Sequence, residues 1–105
     1  MSNRPIIQKF NYIRSKTYRN GAKDQSCTVC DMNDGTTVFV HLDAQYAGKG
    51  RGIKADDIAG FDGCQECHDR YANLSWNPIL DWMITRAVYR TVKRRIEQGI
   101  LIIHD

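Results

Sequence analysis

The chain has 105 residues, 26% of them charged, with 8 glycines and 2 prolines, which excludes a disordered or fibrous polypeptide. It reads as one domain, 1–105, with a modest core of the size that commonly needs a disulfide or a metal as a staple. The net charge of +3 is mild, no apolar run approaches a membrane span, and the N-terminal stretch lacks the apolar core of a signal peptide.

A cytoplasmic protein without a membrane partner is therefore expected. In that compartment thiols stay reduced, and paired cysteines bind metal more often than they form disulfides.

Residues 1–25 read as a basic N-terminal arm. Arg4, Lys9, Arg14, Lys16, Arg19 and Lys23 stand there against a single acid, Asp24, with room for one short helix around Ser15–Tyr18. Cys27-x-x-Cys30 follows. The run "TTVFVHLD" (36–43) alternates and is rich in β-branched residues, which predicts a strand. Val38, Val40 and Leu42 would share one face, with Phe39 and His41 on the other and Asp43 next on that side.

A long glycine-bearing loop, "AQYAGKGRGIKADD", leads to "DIAGF" (57–61), read as a short return strand pairing with 36–42. Cys64-x-x-Cys67-His68 then opens a helix beginning near Gln65. The clearest element is a helix over 77–98, with Asn77 as N-cap, Pro78 in the first helical position and Gly99 at the end. Its apolar stripe (Leu80, Met83, Ile84, Ala87, Val88, Thr91, Val92, Ile96), with Trp82 nearby, predicts core. "ILII" (100–103) reads as a short edge strand. A second basic cluster, Arg90, Lys93, Arg94 and Arg95, lies on the long helix, and two basic segments flanking a metal site suit a polyanion such as nucleic acid as well as they suit a solvated surface.

Cys64-Gln-Glu-Cys67-His68 matches c-type haem attachment, but that reading leaves Cys27 and Cys30 unexplained. Two C-x-x-C pairs instead supply four thiolates, a tetrahedral set that suits structural Zn²⁺ through Cys27, Cys30, Cys64 and Cys67. Knuckle, hairpin, then a helix bearing the last two ligands is the layout of a treble clef. The fold class expected is α+β: a small zinc-stapled treble-clef or ββα-metal (HNH-like) domain with a long C-terminal helix.

His41 and His68 are left over once zinc is closed. A hairpin packed on a helix brings a strand histidine and a helix histidine to one place, as in the active sites of HNH (His-Me finger) nucleases. The run from "SKTYRNGAKDQSC" through Val40-His41-Leu42 and "GKGRGIKADD" to Cys64-x-x-Cys67-His68-Asp69 resembles the prophage-borne YbcO family of zinc-dependent HNH nucleases. The similarity spans roughly residues 15–72. Many HNH enzymes carry an acidic metal ligand just before the strand histidine; here that position is Val40.

The resemblance implies a metal-dependent endonuclease of phage or prophage origin in a bacterial cytoplasm, hydrolysing phosphodiester bonds in DNA with little sequence preference. It implies His41 as general base and His68 as ligand to a catalytic Mg²⁺ or Mn²⁺, with Asp57, Asp69 and Asp43 as possible partners. Asp57 would hold water on that metal or orient His41, and Lys49, Arg51 and Lys54 would grip phosphates. The competing readings are a non-catalytic zinc module that binds nucleic acid, and a zinc-stabilised adaptor docking through its long helix. Neither the substrate's form nor the oligomeric state follows from these residues.

Overall fold

The computed structural model describes residues 12–44, 47–50, 52–73 and 78–105. Its elements are α1 (Lys16–Asn20), β1 (Val38–His41), β2 (Gly60–Gly63), α2 (Gln65–Asn73) and α3 (Pro78–Glu97), an α+β arrangement around one two-stranded antiparallel sheet. The N-terminal residues before Tyr12, the Asn77 cap and Arg51 lie outside the described residues. Among those described, no helix is long and apolar enough to cross a membrane.

The hairpin expected from the sequence forms, but shorter and shifted. Val38 pairs with Gly63 and His41 with Gly60, so β2 begins three residues beyond the predicted start at Asp57. The reason is chemical: Asp57 is a buried carboxylate held by side chains and by the backbone, and the Ala59 amide closes a turn on the Asp56 carbonyl instead of entering a ladder. The alternation in β1 holds. Val40 is buried in the core, while Phe39 and His41 meet edge to face on the opposite side, with ring centroids 5.1 Å apart. Gly60 is required because a Cβ there would strike the Phe39 ring and the Val40 carbonyl.

The basic arm is no arm over its described part. Ser15 caps α1, accepting from the Tyr18 amide at 3.1 Å, and Tyr18 and Ala22 are buried. Tyr18 packs edge to face on Phe39. On the other side of the sheet, α2 and α3 close the main core, where Cys27, Val29, Val40, Phe61, Cys64, Cys67 and Ala87 cluster. Phe61 meets Tyr71 of α2 edge to face at 5.5 Å.

The long helix departs from its predicted stripe at both ends. Trp82 is 60% exposed, with the Arg86 guanidinium over its ring, and Ile96 is exposed as well. At that end of the helix, where the stripe expected Ile96 in the core, it is Arg95 that is fully buried, against the equally buried Asp62 of β2. Arg95 Nη1 donates to Asp62 Oδ2 at 2.8 Å, Nη2 donates to Oδ1, and Nε donates to the Tyr18 carbonyl at 2.6 Å. One guanidinium therefore ties α3 to β2 and to α1. Gly21 leaves it room, since a Cβ there would lie 2.5 Å from Arg95 Nε.

No strand forms at 100–103. Gly99, at φ 74°, donates to the Ile96 carbonyl while Ile100 donates to the Arg95 carbonyl, a Schellman closure that turns the chain back on the helix end. Ile102 and Ile103 are exposed.

Removing one member of the buried Asp62–Arg95 pair leaves the other uncompensated, a loss of about 3–5 kcal/mol. Arg95→Met and Asp62→Asn should each lower the stability of zinc-loaded protein by that order in denaturant unfolding. A loss below about 1 kcal/mol would show that the pair does not join the elements.

Candidate functional site

The two cysteine pairs come from the loop before the hairpin and from the start of α2. Cys27, Cys30, Cys64 and Cys67 bring their four sulfurs within 4.8 Å of one another, with Cys30 Sγ 3.7 Å from Cys64 Sγ. A tetrahedral ion with Zn–S bonds of about 2.3 Å separates its sulfurs by about 3.8 Å, so the cluster has the dimensions of a closed structural site. The backbone turns toward it: the Val29 amide lies 3.4 Å from Cys27 Sγ, and the His68 amide donates to the Cys64 carbonyl at 2.8 Å. Burial, followed by the crowding of neighbouring thiols, pushes the Cys67 thiol far above its ordinary value. At Cys27 burial acts in the same upward direction, but hydrogen bonds from surrounding backbone amides outweigh it and lower the thiol. Such a set sheds its protons together against a cation, the chemistry that four-thiolate zinc supplies.

Two arginines of the C-terminal basic cluster, together with Arg86, serve this knuckle. Arg86, Arg90 and Arg94, one turn apart along α3, donate to the carbonyls of Val29, Thr28 and Ser26 at 3.2, 2.9 and 2.7 Å. Arg90 also pairs with Asp31, and Arg94 Nη1 donates to Asp62 Oδ2 at 3.0 Å. These arginines brace the first cysteine loop, whereas Lys93 of the same helix is exposed.

His41, at the end of β1, and His68, on the first turn of α2, do come together at one cleft. It measures about 270 Å³, and Asp43, Lys49 and Lys54 line it with them. The glycine-bearing loop brings in both lysines, helped by a bridge between Gly50 and Ile53. Lys49 Nζ lies 3.9 Å from Asp43 Oδ1.

Asp57 stands behind His41. His41 Nε2 lies 2.7 Å from Asp57 Oδ1, while Oδ2 accepts from the Ser15 amide at 2.5 Å and from Arg19 Nη1. Burial pushes the Asp57 carboxyl up, but the hydrogen bonds from His41, Ser15 and Arg19 outweigh it and hold it below the usual carboxylate range. An ionised carboxylate only accepts, so Nε2 carries a proton, and in the neutral form of the imidazole the lone pair lies on Nδ1, where it can act as a base. Of the two roles left open for Asp57, the geometry matches the orienting one, since both oxygens are already engaged. Ser15 and Arg19 were not legible as its partners, because 42 and 38 residues separate them from it.

Asp69 does not join the cleft; its carboxylate accepts from the Gln65 side chain at 2.8 Å on an exposed part of α2. Among the described residues, the four cysteines are the one group of three or more ligating side chains gathered closely enough to hold an ion. His68 and Asp43 alone fall short of a site that retains a catalytic metal without substrate. Comparison of the chain with protein-family models, with curated proteins and with solved structures returned no match.

Two outcomes follow. Purified protein should hold about one zinc per chain, and Cys64→Ser or Cys67→Ser should abolish retention after dialysis against a mild chelator; metal analysis reads both. The depressed Asp57 value contributes stability that is fully present above about pH 4, the unfolded carboxyl's value, and is lost as pH falls through the lower folded value. Asp57→Asn should remove that part of the acid limb in unfolding measured against pH.

Proposed function

We propose that the protein is an endonuclease of the HNH type that hydrolyses phosphodiester bonds in DNA, with a treble-clef zinc site as its scaffold. The observation that carries this reading is the pairing of His41 with a buried, ionised Asp57 at the edge of a cleft that also holds His68, Lys49 and Lys54. Knuckle, antiparallel hairpin and a helix that follows Cys64 and carries Cys67 occur in the order of a treble clef.

The chemistry runs through the chain's own side chains. Lys49 and Lys54 attract the phosphodiester and neutralise part of its charge. His41 takes the proton of the attacking water on Nδ1, and Asp57 stabilises the imidazolium that forms through Nε2–H. His68 faces the same space, where it donates to a phosphate oxygen; with Asp43 it would hold a Mg²⁺ or Mn²⁺ ion. Such an ion would supply charge stabilisation at phosphorus and at the ester oxygen that leaves as its P–O bond breaks, and that oxygen takes its proton from solvent water. Phosphate contacts carry no base information, so the binding expected is salt-sensitive and largely non-specific.

A non-catalytic nucleic-acid-binding module is the second reading. It is weakened because Arg14, Arg19, Arg90, Arg94 and Arg95, whose charge suggested it, are engaged within the protein.

The test is nicking of supercoiled plasmid by zinc-loaded protein, with and without added Mg²⁺ or Mn²⁺. His41→Ala should slow nicking by about a hundredfold or more, as loss of a general base does, with zinc and plasmid binding retained. His68→Ala should lose nicking as well. Folded, zinc-loaded wild type that fails to cut whichever metal is supplied would overturn the enzyme reading, and a plasmid gel shift without cleavage would favour the binding module.

A further inference from the structure

The two oxygens of Asp57 face different partners. Oδ1 meets His41, whereas Oδ2 is held entirely by α1 and its cap, through the Ser15 amide and Arg19 Nη1. The carboxylate is only 1% exposed, and among the described residues Arg14 Nη1, at 3.9 Å from Oδ1, is the other cation near it. A buried carboxylate needs such donors, because an unpaired ion at that depth is costly.

The segment that carries Arg19 is fixed independently of it. Ile13 donates to Asp56 Oδ1 at 2.8 Å and accepts from the Asp57 amide at 2.9 Å. Arg14 donates to the Lys54 and Ala55 carbonyls, each at 2.8 Å. Ser15 caps the helix, and Tyr18 is buried. Arg19 itself is about one-third exposed along its side chain and makes its contact through a single nitrogen. Its replacement therefore removes a charge from Asp57 while the docking of α1 is kept by other bonds.

We propose that Arg19 is a positioning residue for His41: by holding Oδ2 it fixes Asp57, so that Oδ1 keeps the imidazole proton on Nε2 and leaves the lone pair on Nδ1. The inference deepens the hydrolytic reading and rests on it for its catalytic meaning. It makes the described end of the basic segment part of the reaction machinery without any contact to substrate. Because one nitrogen makes the bond, lysine can replace arginine here, unlike at a two-pronged site.

The experiment is nitrogen NMR of zinc-loaded full-length protein labelled with ¹⁵N-histidine, at about pH 8, where a free imidazole is neutral. His41 signals are assigned by their loss in His41→Gln. Wild type should show one tautomer, protonated on Nε2. Arg19→Gln and Arg19→Met, the second keeping the packing of the stem, should show a mixture of both tautomers. Nicking turnover in these variants should fall about tenfold with KM little changed, as supporting residues of this kind do. Arg19→Lys should restore both the single tautomer and turnover.

An unchanged tautomer in the zinc-bound Gln and Met variants would overturn the proposal. If turnover nonetheless fell, Arg19 would act on substrate directly. Mixed tautomers in a protein whose wild type cuts nothing would sustain the positioning role and overturn the nuclease reading instead, so the two fail separately.

Discussion

Four sulfurs within 4.8 Å of one another are the constraint on which the rest of this molecule depends. They join a loop and a helix that are 34 residues apart at Cys30 and Cys64, and a core this small gains disproportionately from such a staple. The sheet between them has only two strands, too few to stand by themselves in water. Closing the cluster presses the hairpin against α2 and α3, so that Val40 and Phe61 are covered by Tyr71, Ile84, Ala87 and Val88. Arg86, Arg90 and Arg94 then satisfy three carbonyls of the first cysteine loop that would otherwise face the helix without donors.

The cleft belongs to the other side of the same frame. β1 carries Val40 into the core and, by the alternation of a strand, turns Phe39 and His41 outward. α1 closes over that face through Tyr18 and supplies the cations and amide that a buried Asp57 demands. The same α1 is pinned from behind by Arg95, whose Nε donates to the Tyr18 carbonyl while its other nitrogens hold Asp62. Two buried aspartates on either flank of the hairpin thus use arginines from opposite ends of the chain, which is why distant basic residues converge on so small a sheet.

Much of this was legible in the sequence where a residue type permits one dominant solution. Paired cysteines at two-residue spacing suit chelation, Pro78 and the apolar period specify the long helix, and alternation specifies β1. The pairing of His41 with His68 at a cleft also followed from motif order. Charged residues were less readable, because a count of arginines does not say which carbonyl or carboxylate each one meets. The basic cluster on α3, which suited a polyanion and a solvated surface equally, turns Arg90 and Arg94 onto the knuckle, and Arg95 is buried at the end of the helix where periodicity expected Ile96. Asp57 looked like the start of a strand because its neighbours are apolar; its charge, once buried by α1, delays the ladder to Gly60. Ile100–Ile103 shows the same limit from the other side, since β-branched residues cannot form an edge strand where Gly99 has already turned the chain onto the helix.

The most direct test of the central claim is to map where a short DNA duplex touches the zinc-loaded protein, by following its amide and imidazole NMR signals during titration without added divalent metal. The account predicts that the largest changes fall on His41, His68, Lys49 and Lys54 and fade as salt is raised. Changes concentrated instead on the exposed side of α3, around Trp82, Tyr89 and Lys93, or no changes at all, would contradict it.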